Sequence, residues 1–158
     1  MRAAVIREYG SNDVVEIAEV DRPEPGEAEV LVRVHAAGVN PVDWKIRSSM
    51  GQRMGMTLPI HLGSELVGTI EKLGAGVDNF KVGETIFGMV HTSAFADYAV
   101  AKANNVVRVP DNIDIIHAAA LPLAGSTAWQ AIFDEAGLSA GQRLLITNSS
   151  GGVGSLAV

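Results

Sequence analysis

The sequence predicts a mixed α/β chain: a strand-rich unit of barrel or sandwich type, followed by the opening of a parallel α/β unit. Three observations predict it. The first hundred residues carry short apolar runs separated by turns rich in Gly and Pro. Beyond about residue 114 the apolar spacing becomes helical. The chain then reads as a continuous apolar strand, a glycine turn and the start of a helix. Composition agrees. Of 158 residues 47% are hydrophobic, 19% are charged and 17 are glycine. Such a chain can bury a core, and its glycine content exceeds the roughly 7% of average usage.

Taken in order, residues 3–6 form a short apolar run. Residues 14–20 are strand-like and are broken by Arg22-Pro23-Glu24-Pro25-Gly26. Residues 30–36 are β-branched and partly alternating, hence a strand. Asn40 precedes Pro41, which predicts a short helix over 41–47 with Asn40 near its cap. Residues 51–59 show no apolar period and read as a mobile loop. Strands are predicted at 66–73, 85–90, 95–100 and 106–110, with a Gly74-Ala75-Gly76 turn after the first. Asp114 caps a predicted helix through Ala120, and a second helical stretch covers 121–137 with Gly137 as its stop. Residues 143–147, Arg-Leu-Leu-Ile-Thr, read as a doubly buried parallel strand. The domain boundary is expected between Pro110 and Leu123.

The net charge is −6, from 12 basic and 18 acidic residues, and no basic run exists. A nucleic-acid partner is therefore not expected, because phosphate contacts need clustered Lys and Arg. The absence of cysteine excludes disulfides, thiolate zinc sites and a Cys nucleophile. The four histidines, His35, His61, His91 and His117, are scattered and show no metal-ligand spacing. No stretch reaches the about 20 apolar residues of a membrane span. Charges at Arg2, Arg7 and Glu8 come too early for a signal peptide. The expectation is a cytoplasmic protein with no membrane partner.

The segment Asn148-Ser149-Ser150-Gly151-Gly152-Val153-Gly154 carries the chemistry. A glycine turn after a buried strand lets backbone N–H groups approach a phosphate, and the helix start adds partial positive charge. Gly151 and Gly154 stand where the second and third glycines of G-x-G-x-x-G fall. Ser149 occupies the first position, so the strict fingerprint fails. An ordinary turn remains the alternative.

Several ordered motifs together resemble the medium-chain dehydrogenase/reductase superfamily, and within it the zinc-free quinone oxidoreductase (zeta-crystallin-like) branch. They are residues 35–45 (His-Ala-Ala-Gly-Val-Asn-Pro-Val-Asp-Trp-Lys), 58–65 (Leu-Pro-Ile-His-Leu-Gly-Ser-Glu), 80–84, 93–98, 121–129 (Leu-Pro-Leu-Ala-Gly-Ser-Thr-Ala-Trp) and the Gly151-Gly152-Val153-Gly154 turn. Where the zinc-dependent branch has Gly-His-Glu, this chain has Gly63-Ser64-Glu65, and the Cys-rich lobe has no counterpart. The resemblance implies a GroES-like catalytic domain over 1–115. Residues 116–158 would then hold connecting helices and the start of a truncated Rossmann nucleotide-binding domain. It implies hydride transfer from NADPH, or NADH, to a small-molecule quinone or enone, with no zinc.

The resemblance also implies site residues. Asn40 matches an asparagine near nicotinamide and substrate, and Asp43 and Ser64 are offered to the same catalytic pocket. Thr127 matches a threonine that faces the nicotinamide carboxamide. Ser149, Gly151, Gly152, Val153 and Gly154 form the pyrophosphate turn. Each has a plainer alternative: helix capping for Asn40, a solvated carboxylate for Asp43, a turn serine for Ser64, a local backbone bond for Thr127. Trp44 and Trp129 are expected to pack rather than to bind substrate. The competing function is a noncatalytic fragment or GroES-like structural module. A nucleotide-binding βαβ unit needs roughly thirty or more residues, so the chain is expected to bind nicotinamide weakly or not at all by itself. Residues 143–147 expose sheet edges if unpartnered, which predicts a homo-oligomer formed through the carboxy-terminal segment.

Overall fold

Strand β5 (Glu65–Leu73) organises the molecule. In a strand, alternate side chains face opposite sides, and both faces of β5 are buried. Leu66 and Ile70 enter one apolar cluster with Val30, Val32, Ile86, Ala99 and Ala101. Val67 enters another with Ala118 and Ala119. The computed structural model describes residues 1–90 and 93–158. His91 lies outside the described residues.

Among those residues the strands fall into two antiparallel sheets. One has the order β2 (Val15–Glu19), β1 (Arg2–Ile6), β4 (Ile60–His61). The other has the order β7 (Tyr98–Lys102), β3 (Glu29–Ala37), β5, β6 (Thr85–Met89), β8 (Val106–Arg108). The Ala3–Ala96 bridge and the Ala4 N–H donating to Phe95 O at 2.8 Å tie β1 to the segment before β7. β3 is bulged against β5 between Leu31 and Val32 and between Val34 and Ala36, which bends the long pair.

The strand-rich reading of the first hundred residues holds, with differences at particular places. β4 has no counterpart among the expected strands. It is two residues long and exists through its pairing with β1, where Ile60 faces Ile6. Residues 95–97 precede β7 rather than belonging to it. The predicted helix over 41–47 runs further: α1 (Pro41–Lys45) continues through a π-helical turn (Ile46–Met50) into α2 (Gly51–Arg53). Gly51 therefore does not open a loop. It is buried, and a Cβ there would lie 2.9 Å from the Tyr9 ring and 3.0 Å from Ile46 O.

The helices after residue 113 follow the sequence closely. Asp114 caps α3 (Ile115–Ala118), its Oδ1 accepting from Ile116 N–H at 2.9 Å and His117 N–H at 3.1 Å. α4 (Pro122–Trp129) continues as a π-helical turn (Gln130–Glu135), and Gly137 ends the run with φ of +60°. α5 (Gly152–Ala157) packs beside α4, with Leu156 Cδ1 3.9 Å from where a Gly125 Cβ would stand. No helix of the described residues is long and apolar enough to cross a membrane.

A further element departs from expectation. Residues 143–147 form no strand, and Leu145 is 87% exposed. A parallel strand exists only as the hydrogen-bonded neighbour of another, and none of the described strands pairs with this run. The two tryptophans also differ from their expected packing role. Trp44 and Trp129 are largely exposed, and Trp129 stacks against Phe133 one helical turn on, ring centroids 4.5 Å apart.

Candidate active site

Four elements converge at one end of β5. The turn between β3 and α1 brings Gly38 and Asn40, α1 brings Asp43, the entry and first residue of β5 bring Ser64 and Glu65, and α4 brings its first turn. Asn40 takes the N-cap position of α1 with extended backbone. Its N–H donates to Asp43 Oδ2 at 2.6 Å, and the Asp43 N–H donates to Asn40 O at 3.0 Å. The turn is thereby fixed from both ends.

Asp43 is buried. Its other oxygen, Oδ1, accepts from Ser64 Oγ at 3.4 Å, so the two predicted pocket residues meet. Burial pushes the Asp43 carboxyl above the usual 3.8, and the hydrogen bonds from the Asn40 backbone and the Ser64 hydroxyl oppose that rise. Both oxygens are engaged inside the protein. Ser64 is itself buried, and its carbonyl accepts from Val90 N–H at 2.9 Å. Gly63 before it has φ of +98°, and a Cβ there would lie 2.6 Å from Phe95 N. Only glycine fits that entry to β5.

Sequence reasoning assigns no role to Glu65, yet Glu65 is the centre of the arrangement. It is 1% exposed. Oε1 accepts from Asn40 Nδ2 at 2.5 Å, and Oε2 accepts from Leu123 N–H at 2.7 Å. Leu123 lies in the first turn of α4, where backbone N–H groups have no partner within the helix. Leu121, the N-cap residue, supplies no side-chain bond. A carboxylate 58 residues away supplies the acceptor instead. Parity is one signal in the sequence that points to it: Glu65 shares a strand face with Val67, which packs on α3. Gly38 is a second, since a Cβ there would fall 2.1 Å from Glu65 Oε1.

Thr127 lies one turn further along α4 and is exposed. Its Oγ1 donates to Leu123 O at 2.7 Å, the local bond anticipated as its plainer role. The hydroxyl hydrogen is thus committed, and the oxygen remains able to accept. No hydrogen bond among the described residues joins the glycine turn to Asn40, Asp43 or Ser64. Gly151 caps α5, Gly152 has open space where a Cβ would be, and a Gly154 Cβ would press to 2.3 Å from Asn148 O. Ser149 and Val153 are exposed. A separate groove of about 540 Å³ runs between β6 and α4, walled by Phe87, Met89, Val90, Leu121, Pro122 and Ser126. Asn40, Asp43 and Ser64 do not line it.

Metal-ligand chemistry finds no donor set among the described residues. His35, on β3, bonds Thr69 Oγ1 at 2.8 Å, His61 is on β4 and His117 on α3. No group of three His, Cys, Asp or Glu there is arranged to hold a metal ion.

Comparison with known proteins agrees with this architecture. The alcohol dehydrogenase GroES-like domain family matches residues 26–111. Human quinone oxidoreductase is 35% identical over 156 residues, covering 98% of this chain and 47% of its own length. The 2-methylene-furan-3-one reductase of Solanum lycopersicum is 34% identical over 168 residues, covering 100% of this chain and 43% of its own. The Escherichia coli quinone oxidoreductase complexed with NADPH superposes with a TM-score of 0.89 at 26% identity, over 99% of this chain and 48% of that one. The chain spans about half the length of the curated relatives it matches. It belongs to the alcohol dehydrogenase GroES-like domain family.

Proposed function

We propose that the chain is the substrate-side portion of an NAD(P)H-dependent oxidoreductase that reduces a small-molecule quinone or enone without a metal. The cofactor is NADPH or NADH. The observation that carries this reading is the convergence of Asn40 and the start of α4 on one buried carboxylate. It holds in place the two elements bearing Asn40 and Thr127. Support also comes from two relatives, a quinone oxidoreductase and a furanone reductase, and from the Escherichia coli structural neighbour, which is complexed with NADPH.

Residues 1–115 act as the GroES-like catalytic domain. Residues 116–158 carry the connecting helices and the opening of a Rossmann domain. The turn at 149–154 suits a pyrophosphate: Gly152 leaves room for close backbone approach, and Ser149 offers a hydroxyl donor. Ser149, Gly151, Gly152, Val153 and Gly154 would hold that group, and Thr127 and Asn40 the nicotinamide end. A bound nicotinamide supplies the hydride. Thr127 Oγ1, its hydrogen spent on Leu123 O, would accept from the carboxamide. Asn40, with Nδ2 held by Glu65, would have its amide oxygen left to offer to the reactants. Asp43 and Ser64 keep the Asn40 turn in place. A quinone reduced by hydride delocalises the negative charge and takes one proton from solvent on leaving the site, so positioning of the reactants suffices. The protein works in the cytoplasm as a homo-oligomer, with neither nucleic acid nor membrane as partner.

A noncatalytic GroES-like module is the second reading, favoured by the unpaired run at 143–147. Calorimetric titration with NADPH, followed by NADPH oxidation with a quinone acceptor, separates the two. Binding that weakens in Asn40→Ala and Gly152→Val supports the oxidoreductase. No heat and no turnover supports the module.

A further inference from the structure

We propose that Glu65 is a positioning residue that locks the Asn40 turn to helix α4. It thereby sets the separation of the two groups offered to the nicotinamide. The proposal rests on the cofactor reading above for its consequence, and on geometry alone for the lock itself.

The geometry has four parts. The carboxylate is 1% exposed at the start of the central strand. Its two oxygens are divided between two elements, one on Asn40 Nδ2 and one on Leu123 N–H. Those partners are 25 and 58 residues away, so each bond restrains a long loop. Gly38 makes the space: any side chain there would drive Glu65 Oε1 away and meet Ala119 O at 2.8 Å.

The α4 end of the lock extends the effect. Thr127 hangs from Leu123 O, the carbonyl of the residue whose N–H Glu65 holds. Gly125 of the same helix lies against Leu156 of α5, the helix that follows the glycine turn. A shift of the first turn of α4 is therefore felt at Thr127 and at the packing of α5. Asn40 lies on the opposite oxygen. One side chain registers both halves of a candidate nicotinamide site without needing to touch the cofactor.

Replacement by glutamine isolates this role. Gln fills the same space but has one acceptor oxygen, and its NH2 would face a donor N–H. It cannot satisfy both Asn40 Nδ2 and Leu123 N–H. Amide hydrogen exchange of the chain in Glu65→Gln reads the lock directly, with no cofactor present. The expected result is about tenfold or greater acceleration at Leu123, or a displaced Asn40 side-chain amide resonance, with Ile70 in the sheet core unchanged. Asn40→Ala should leave Leu123 protected, because Oε2 is untouched. NADPH added to Glu65→Gln should lose its shifts at Thr127 and Asn40 and keep those at the 151–154 turn. Unchanged Leu123 exchange and an unchanged Asn40 amide in Glu65→Gln would overturn the lock. Absence of NADPH shifts in the unsubstituted chain, with the exchange result intact, would overturn the cofactor reading and leave the lock standing. If Glu65→Gln fails to fold, Glu65→Asp, which is one methylene too short to span both partners, gives the same readout.

Discussion

Gly38→Ala is the perturbation whose consequence follows most directly from the coordinates. The φ of Gly38 is not in the left-handed region, so the backbone tolerates alanine. Space does not. The new methyl would sit 2.1 Å from Glu65 Oε1, 2.7 Å from its Cδ and 2.8 Å from Ala119 O. The Ala119 carbonyl is backbone, and Ala119 is buried against Val67. Relief must come from the Glu65 carboxylate, which then gives up Asn40 Nδ2. Overpacking a tight site costs about 1–3 kcal/mol. An orphaned buried donor adds about 1–3 kcal/mol. The sum is roughly 2–6 kcal/mol, or about 4–24 °C of melting temperature for a chain of this size. A thermal melt by circular dichroism measures it. A variant melting within about 2 °C of the parent would refute the account of Gly38 and Glu65.

Other outcomes follow from single features of the structure. Gly152→Ala meets no neighbour and sits at a helix start, so it should leave stability unchanged or raise it by up to about 1 kcal/mol while weakening NADPH binding; a melt paired with calorimetry checks both. Asp43 titrates above 3.8 when folded, so the native state holds its proton longer than the unfolded chain does. Its contribution to stability therefore falls as pH rises from 3.8 through the raised value and is level above it. Asp43→Asn should remove that part of the slope in urea unfolding at a series of pH values, and an identical slope would contradict the burial argument. Leu145 is 87% exposed, and its neighbour Leu144 lines a groove with Trp129, Leu156 and Val158, which is itself 89% exposed. Light scattering should show an assembly that Leu145→Lys shifts toward monomer, and a monomeric parent at high concentration would exclude association through this face.

The sequence resolves elements whose signal is local. The apolar runs that form β1, β3 and β5, the Asp114 cap and the Gly137 stop each follow from a few adjacent residues. What it misses depends on distant neighbours. β4 is a strand because Ile6 lies beside Ile60, and residues 51–53 are helical because Gly51 admits the Tyr9 ring. The run at 143–147 shows the converse: its residue types suit a buried strand, but pairing requires a partner. The site divides in the same way. Motif alone places Asn40 at the head of α1 and Thr127 on α4. It does not show that Asn40 and α4 meet through Glu65, because an acidic residue opening an apolar strand looks like a solvated end until the α4 start closes over it. The motif residues Gly63-Ser64-Glu65 draw attention for the absent histidine, whereas the structural weight falls on the glutamate.

On the proposed reading, Asn40, Thr127 and the 149–154 turn face one nicotinamide cofactor. Titration of isotope-labelled chain with NADPH, followed by amide chemical shifts, tests it most directly. Weak binding is expected, with shifts at Gly151, Gly152, Val153 and Gly154, at Thr127 and at the Asn40 side-chain amide. Ile70 and the rest of the sheet core should stay fixed. No shift at millimolar NADPH, or shifts gathered away from these residues, would contradict it.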